Sequence, residues 1–126
     1  YNSNPLSLKS SINNFDLIDS KNNKKHIILG DMLELGRHSK KLHLEMSAII
    51  NSSSINNVHI FGKYIRETYK KIHNKKKGLI LKDILQIIDL IKNNINNNDY
   101  LMIKGSNATG LHKLTSSLKK ERKNAL

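Results

Sequence analysis

The sequence is poor in the residues that build several common kinds of site. Among 126 residues it has no cysteine, no tryptophan and a single proline, and its only aromatic residues are four tyrosines and two phenylalanines. The lack of cysteine excludes disulfides, thiolate metal ligands and a cysteine nucleophile, and it fits a reducing cytoplasm. No apolar run approaches the roughly 18 residues of a membrane-spanning helix, and residues 1–5 carry no signal-peptide pattern.

Length and charge limit the classes of protein to which the chain can belong. A chain of 126 residues, 37% of them apolar, has the size of one domain with one core, here residues 1–126. Because the chain lacks an initiator methionine, we expect it to be a fragment of a longer protein. Its net charge of +12, from 22 basic and 10 acidic residues, ordinarily indicates a nucleic acid or another polyanion as partner.

Three features argue against a nucleic-acid partner. Only three of the cations are arginine, the residue that base recognition favours. Few aromatic side chains are present to stack on bases. Lysine, asparagine and isoleucine are all abundant. AT-rich codons specify these three residues, so the positive charge is explained by genome composition without selection for a polyanion. We therefore expect no nucleic-acid partner, and a small basic nucleic-acid-binding module stays an alternative.

The spacing of apolar residues predicts alternating helices and strands. Short apolar runs predict four strands, at His26–Leu29, Val58–Phe61, Gly78–Leu81 and Tyr100–Ile103. Apolar residues at helical spacing predict helices between these strands and at both ends. The first helix has a buried stripe at Leu8, Ile12 and Phe15 that we expect to extend to Leu17 and Ile18, and the last helix is marked by Leu111, Leu114 and Leu118. The alternation implies an α/β fold with a parallel sheet covered on both faces.

Ligands of such folds lie beyond the carboxyl ends of the strands. Three segments follow strand ends, namely Gly30–Met32, Gly62–Lys63 and Lys104–Asn107. The last of these combines a lysine, a bare glycine amide and a hydroxyl before a predicted helix, which suits either an anion site or an ordinary helix cap. The Gly30–Gly36 loop contains Asp31 and Glu34. Their carboxylates either face the ligand crevice at the strand ends or are solvent-exposed acids of an ordinary strand-to-helix loop.

The spacing of other residue types indicates no complete enzyme. The phosphate-binding pattern G-x-x-x-x-G-K-[ST] and the nucleophile elbow G-x-S-x-G are absent from the sequence. No histidine pair or histidine–carboxylate cluster has the spacing of metal ligands, so we expect no metal site. His43, on the helix after the acidic loop, either reaches the crevice or is a partly exposed helix residue.

Three segments together resemble the Mur ligase family. Tyr1–Ser7 resembles the YNANPxS motif that opens the C-terminal domain of one member, Gly30–Gly36 with Leu42–His43 resembles GDMxELG…LH, and Lys104–Asn107 resembles KGSR or KGSN. The likeness covers essentially all 126 residues, and GDMLELG is its most specific part. It implies a Rossmann-like three-layer αβα domain with a mostly parallel sheet, from which the family's first strand is missing.

The resemblance also implies a function. The matching member is a three-domain, ATP-dependent ligase of the bacterial cytoplasm that joins D-alanyl-D-alanine to UDP-N-acetylmuramoyl-tripeptide in peptidoglycan synthesis. ATP phosphorylates the tripeptide carboxylate and Mg²⁺ screens the phosphate charge, and both are held mainly by the central domain. The C-terminal domain closes over ATP and helps to hold the acceptor. Without the N-terminal and central domains, the chain is expected to be inactive.

Matching positions carry the family's site residues over to this sequence. Asn2 and Asn4 are expected on the nucleotide side of the cleft. The acceptor side is expected to contain Asp31, Met32, Lys104, Ser106 and Asn107, with Glu34 and His43 as further candidates and with no metal ligand. Lys104 and the neighbouring amides would bind the acceptor carboxylate, while Asp31 or Glu34 would orient its ammonium group.

Some positions depart from the family pattern. The acidic residue that precedes the opening motif is not in the sequence, and Ser3 replaces the commoner alanine. Asn107 stands where many members have arginine, so a bidentate carboxylate contact there is in doubt. The C-terminal domain of a related ligase, one that adds another amino acid or extends folate with glutamate, stays an alternative, although the opening motif of those families differs.

Overall fold

The computed structural model describes residues 5–32 and 40–105, which form a four-stranded sheet with helices on both faces. In chain order the elements are α1 (Pro5–Asp16), β1 (Lys25–Gly30), α2 (Lys40–Asn51), β2 (Asn57–Phe61), α3 (Arg66–Lys70), a 3₁₀ turn (Asn74–Lys76), β3 (Lys77–Leu81), α4 (Ile84–Asn94) and β4 (Tyr100–Lys104). All four predicted strands are confirmed. The predicted last helix lies outside the described residues.

The strands run parallel in the order β3-β2-β1-β4, which confirms the predicted α/β class. The chain moves from β1 outward through β2 to β3, and α4 then returns it to the other side of β1. This reversal creates a switch point between β1 and β4, where α/β sheets place their ligands. The register aligns the carboxyl ends of the strands, with Lys104 opposite Leu29, Gly30 opposite Phe61, and Phe61 opposite Leu81.

One face of the sheet packs against α1, α2 and α3. Leu8 and Ile12 are one helical turn apart on α1 and are both buried, as the predicted stripe requires. They share a core with Met46 and Ile50 of α2 and with inward-facing residues of the two central strands, namely Ile27, Leu29, Val58 and Ile60. Alternate residues of the strands face the other side, because successive side chains of a strand point in opposite directions.

The second face packs against α4. Ile28 of β1 and Leu81 of β3 form a smaller core with Ile87 and Leu90 of α4. The helix begins after Asp83, whose carboxylate accepts the Gln86 backbone N–H at 2.8 Å and so satisfies a donor at the helix start. None of the helices in the described ranges is long and apolar enough to cross a membrane.

The end of α1 differs from the prediction. Leu17 and Ile18 were expected in the buried stripe, but they are 82% and 39% exposed, so that expectation is wrong. The helix ends at Asp16, whose carboxylate accepts both the backbone N–H and the hydroxyl of Ser54 at 2.6 Å. This contact ties the helix end to the loop after α2, and the next two residues lie beyond the core.

Candidate functional site

The carboxyl ends of the strands form one continuous edge, which we call the carboxyl edge. It consists of the aligned strand ends and the residues that follow them, Asp31 after β1, Gly62 after β2, Lys82 after β3 and Gly105 after β4. Two predicted acceptor-side residues, Asp31 and Lys104, therefore belong to neighbouring strands at the switch point. Strand register, rather than closeness in sequence, brings them to the same edge.

Asp31 fixes the turn that follows the neighbouring strand. Its two carboxylate oxygens accept the backbone N–H groups of Lys63 and Ile65, each at 2.8 Å. A carboxylate has about four lone-pair positions, so these two bonds leave others available to a ligand. Asp31 is half-buried. The residue that sequence analysis placed on the acceptor side therefore also holds the β2–α3 turn in place.

Gly62 makes the close approach of Asp31 possible. Its φ of +137° lies in a region that side chains rarely adopt, and a Cβ at this position would lie 2.5 Å from the Asp31 carboxyl carbon. A glycine is therefore required here for two separate reasons, the backbone conformation and the space that the carboxylate occupies. The strand-end rule selects Gly62–Lys63 from the sequence, but residue spacing does not connect this segment with Asp31.

Met32 and His43 lie in the protein interior. The Met32 side chain is fully buried within the core under α1 and α2. His43 on α2 is also buried, and its Nδ1 lies 2.6 Å from the Thr68 hydroxyl on α3. Both residues pack the layer that carries the carboxyl edge, and any contact of theirs with an acceptor stays a prediction.

The other predicted site residues differ in what the structure says of them. Lys104 is the half-buried last residue of β4, and Gly105 after it is buried. Five candidates lie outside the described residues, namely Asn2, Asn4, Glu34, Ser106 and Asn107. Their assignments remain predictions.

A basic cavity lies at the carboxyl ends of β2 and β3. Its volume is about 260 Å³, and it is lined by Phe61, Gly62, Lys63, Arg66, Leu81 and Lys82. We call this set the basic cavity. Its lining contains three cations and no acidic side chain. The three cations are exposed and take part in no ion pair among the residues that the structure describes.

The acids nearest in sequence to the basic cavity are engaged elsewhere. Glu67 pairs with Lys70 at 3.0 Å, and the Asp83 carboxylate caps α4. The carboxylate oxygens of Asp31 already accept two backbone N–H groups. Asp31 also borders the cavity at Gly62, so its carboxylate offsets part of the charge of the three lining cations. The excess that remains is positive, and an anionic ligand would balance it.

Arg66 and Lys82, which line the cavity, are not among the site residues predicted from the sequence. Lys82 could have been found by applying the strand-end rule to β3, since it directly follows that strand. Arg66 had no such signal, because its place beside the cavity depends on the turn that Asp31 holds.

The opposite end of the sheet, which we call the amino edge, contains buried polar groups. The His26 Nε2 atom lies 3.1 Å from the Asp99 carboxylate, and the His26 ring stacks on that of His59 with centroids 5.9 Å apart. His59 Nδ1 accepts the Leu79 backbone N–H at 3.0 Å. Burial, together with the neighbouring His26, lowers the pKa of His59 to about 4.

Two lysines of the amino edge are also buried. The Lys25 Nζ donates to the Asp16 carbonyl at 2.7 Å and to the Ser54 hydroxyl at 2.9 Å. The Lys76 Nζ donates to the carbonyls of Ser53 and Ile55 at 2.8 and 2.7 Å. Burial lowers the pKa of Lys76, and neighbouring Lys75 adds to that effect. These contacts connect the loop after α2 to α1 and to the start of β3.

Metal ligands are not assembled in the described part of the chain. Within residues 5–32 and 40–105, no group of three or more histidine, aspartate or glutamate side chains has an arrangement that could hold a metal ion. This part instead brings three exposed cations together at the basic cavity, which suits an anion.

Comparison with known proteins finds the family that the sequence motifs resemble. The family model described as "Mur ligase, glutamate ligase domain" matches residues 1–107. The UDP-N-acetylmuramoyl-tripeptide–D-alanyl-D-alanine ligase of Rickettsia prowazekii is 30% identical over 90% of this chain and 25% of its own length. The enzyme of the same name from Buchnera aphidicola is 32% identical over 98% of the chain and 26% of its own length.

A solved structure agrees with the fold. The crystal structure of MurF ligase from Thermotoga maritima in complex with ADP superposes with a TM-score of 0.73 at 25% sequence identity. That match covers 100% of this chain and 28% of the other. The chain thus spans about a quarter of the length of the curated relatives described above. It belongs to the Mur ligase family, through the glutamate ligase domain of that family.

Proposed function

We propose that the chain, residues 1–126, is the C-terminal domain of an ATP-dependent ligase that adds D-alanyl-D-alanine to UDP-N-acetylmuramoyl-tripeptide. The reaction would be a cytoplasmic step of bacterial peptidoglycan synthesis. The observation that carries the proposal is the carboxyl edge, where Asp31 follows β1 and Lys104 ends the neighbouring β4 at the switch point. The names of the two relatives support the choice of substrates.

In this proposal the carboxyl edge is the acceptor side of the cleft. Lys104 and the amides after it bind an anion, and the remaining lone pairs of Asp31 orient the ammonium group of the dipeptide. Ser106, Asn107 and Glu34 belong to the same proposal. Met32 and His43 contribute by packing, since both are buried. The amino-terminal and central domains of the ligase are the partners that complete the cleft.

The nucleotide belongs on the other side of that cleft. ATP supplies the phosphoryl group that activates the tripeptide carboxylate, and Asn2 and Asn4 are proposed to contact the nucleotide. The related MurF structure in complex with ADP supports a nucleotide site in this family. The described residues of this chain form no carboxylate cluster that fits Mg²⁺, so we assign no metal ligand to them.

The test uses the full-length ligase that carries this chain with its other domains. It should consume ATP only when the UDP-linked tripeptide and D-alanyl-D-alanine are both present. Lys104→Ala should lower kcat/KM for the dipeptide at least about tenfold, because a charge-assisted contact is lost. Lys24→Ala removes the same charge at the amino edge and should keep wild-type kinetics. Use of another amino acid instead of the dipeptide, or ATP turnover by the 126-residue chain alone, would contradict the proposal.

A further inference from the structure

The basic cavity has the chemistry of a carboxylate site. Arg66 on α3 and Lys82 after β3 lie on different elements, and both line the cavity with Lys63. A guanidinium and two ammonium groups donate hydrogen bonds and accept none, so their natural ligand is an anion. Phe61 and Leu81 add apolar walls, which suit a small apolar group beside that anion.

The size of the cavity indicates what part of a ligand it takes. Its volume of about 260 Å³ is smaller than the roughly 300–1,000 Å³ of pockets that enclose a drug-sized molecule. It therefore encloses only one end of a ligand, and the rest of the ligand would lie outside it. A terminal carboxylate with a methyl group beside it matches the charge, the apolar walls and the size.

Asp31 lies directly beside the cavity. A Cβ on Gly62, which lines the cavity, would be 2.5 Å from the Asp31 carboxyl carbon. Two extended residues span about 7 Å, so a dipeptide can reach from the cations of the cavity to Asp31. A dipeptide with its carboxylate in the cavity would bring its amino group to the Asp31 carboxylate, beside the switch point.

We propose that the basic cavity binds the terminal carboxylate of the acceptor dipeptide, through Arg66 and Lys82, while Asp31 holds the dipeptide ammonium group. This inference rests on the proposed function and goes beyond it, because the sequence analysis placed that carboxylate on Lys104 instead. In the new arrangement Lys104 at the switch point faces the negatively charged activated phosphate. Asp31 connects the two subsites, since its carboxylate also holds the turn from which Lys63 extends.

The experiment compares D-alanyl-D-alanine with its C-terminal amide, which lacks the negative charge, in the full-length ligase. The wild-type enzyme should have a KM at least about tenfold lower for the acid than for the amide. Arg66→Gln with Lys82→Gln should reduce this preference to about threefold or less, and should leave the KM for ATP unchanged. Lys63 is kept, because its ammonium also lies 5.7 Å from the centre of the Tyr64 ring.

The matched control is Lys24→Gln with Lys75→Gln. It removes two exposed charges at the amino edge and should retain the full preference for the acid. A preference that persists in the Arg66 and Lys82 double variant but disappears in Lys104→Gln would overturn the inference. So would a double variant that changes the KM for ATP or inhibition by inorganic phosphate instead, because the cavity would then bind phosphate. A wild-type enzyme that ligates neither dipeptide would contradict the proposed function itself.

Discussion

The two edges of the sheet differ in the burial and pairing of their charged side chains. At the amino edge, the side chains of Lys25, His26 and Asp99 are buried, and each of them has hydrogen-bond partners. At the carboxyl edge, the cations of the basic cavity are exposed and make no ion pair among the described residues. A buried charge destabilises a fold unless it is partnered, whereas an exposed cation costs little and stays available to a ligand. The comparison separates the charges that support the fold from those that can bind.

The largest expected effect is at Gly62, whose close contact with Asp31 supports the structure of the carboxyl edge. Gly62→Ala should lower the free energy of unfolding by about 3 kcal/mol, because the φ of +137° disfavours a side chain and the new Cβ would meet the Asp31 carboxylate. Urea unfolding measures the change. In an Asp31→Ala background the same substitution should cost about half as much, since only the backbone strain remains. An equal cost in both backgrounds would refute the direct contact.

The next effect concerns acid stability at His59, which lies in the middle of β2 and stacks on His26 of the amino edge. The fold lowers the pKa of His59 from the ordinary histidine value of 6.5 to about 4, so the unfolded chain takes up the proton first as the pH falls. Stability that is fully present above pH 6.5 is therefore lost as the pH falls towards 4. The full shift corresponds to about 3 kcal/mol, and we expect a loss of about 2 kcal/mol because solvent screens part of the charge. His59→Asn keeps an acceptor for the Leu79 N–H but does not titrate. Its loss of stability between pH 7 and pH 4 should be smaller than that of the wild type.

A control separates this histidine from the other titrating groups. His73→Asn changes an exposed histidine and should keep the wild-type dependence on pH. Hydrogen bonds from Ser54 hold the pKa of Asp16 below its usual range, so both proteins lose some stability in acid as that carboxylate is protonated. Equal losses in the wild type and in His59→Asn would show that His59 is not responsible.

The smallest effect compares one lysine from each edge. Lys25→Met removes an ammonium that donates to the Asp16 carbonyl and the Ser54 hydroxyl, and should cost about 1.5 kcal/mol. Lys82→Gln at the carboxyl edge should change stability by less than about 0.5 kcal/mol, because the Lys82 side chain makes no ion pair among the described residues. Thermal unfolding of both variants at one pH is sufficient. A larger loss for Lys82→Gln would remove the distinction between the edges.

Local patterns predicted the elements, and contacts distant in sequence explain the departures. The strands and the buried stripe at Leu8 and Ile12 follow from residue spacing within a few positions. The end of α1 depends on the contact between Asp16 and Ser54, which are 38 residues apart. Likewise, the start of α3 at Arg66 follows a turn that Asp31 holds from another strand end. No periodicity within either segment contains this information.

The candidate site, like the fold, was predictable from the sequence only in part. The strand-end rule and the family motifs selected Asp31, which follows β1, and Lys104, which ends the neighbouring β4 at the switch point. The basic cavity was not predicted, because it combines residues from β2, α3 and β3 that come together only through strand order. The second role of Asp31, as the group that holds the turn at Gly62, also requires the register of β1 and β2.

The irregular pairing of β3 has a consequence for solubility. Among the strands of residues 5–32 and 40–105, β3 lies at the border of the sheet and exposes Leu79 and Ile80, a combination that favours aggregation through strand addition. Its register shifts beside His59, which takes the Leu79 N–H, and the Tyr69 hydroxyl donates to the Gly78 carbonyl at 2.8 Å. A strand from another molecule would meet a bulged edge, and bulges hinder edge-to-edge pairing. The same bulge that accommodates a buried histidine therefore makes β3 a poor template for polymerisation.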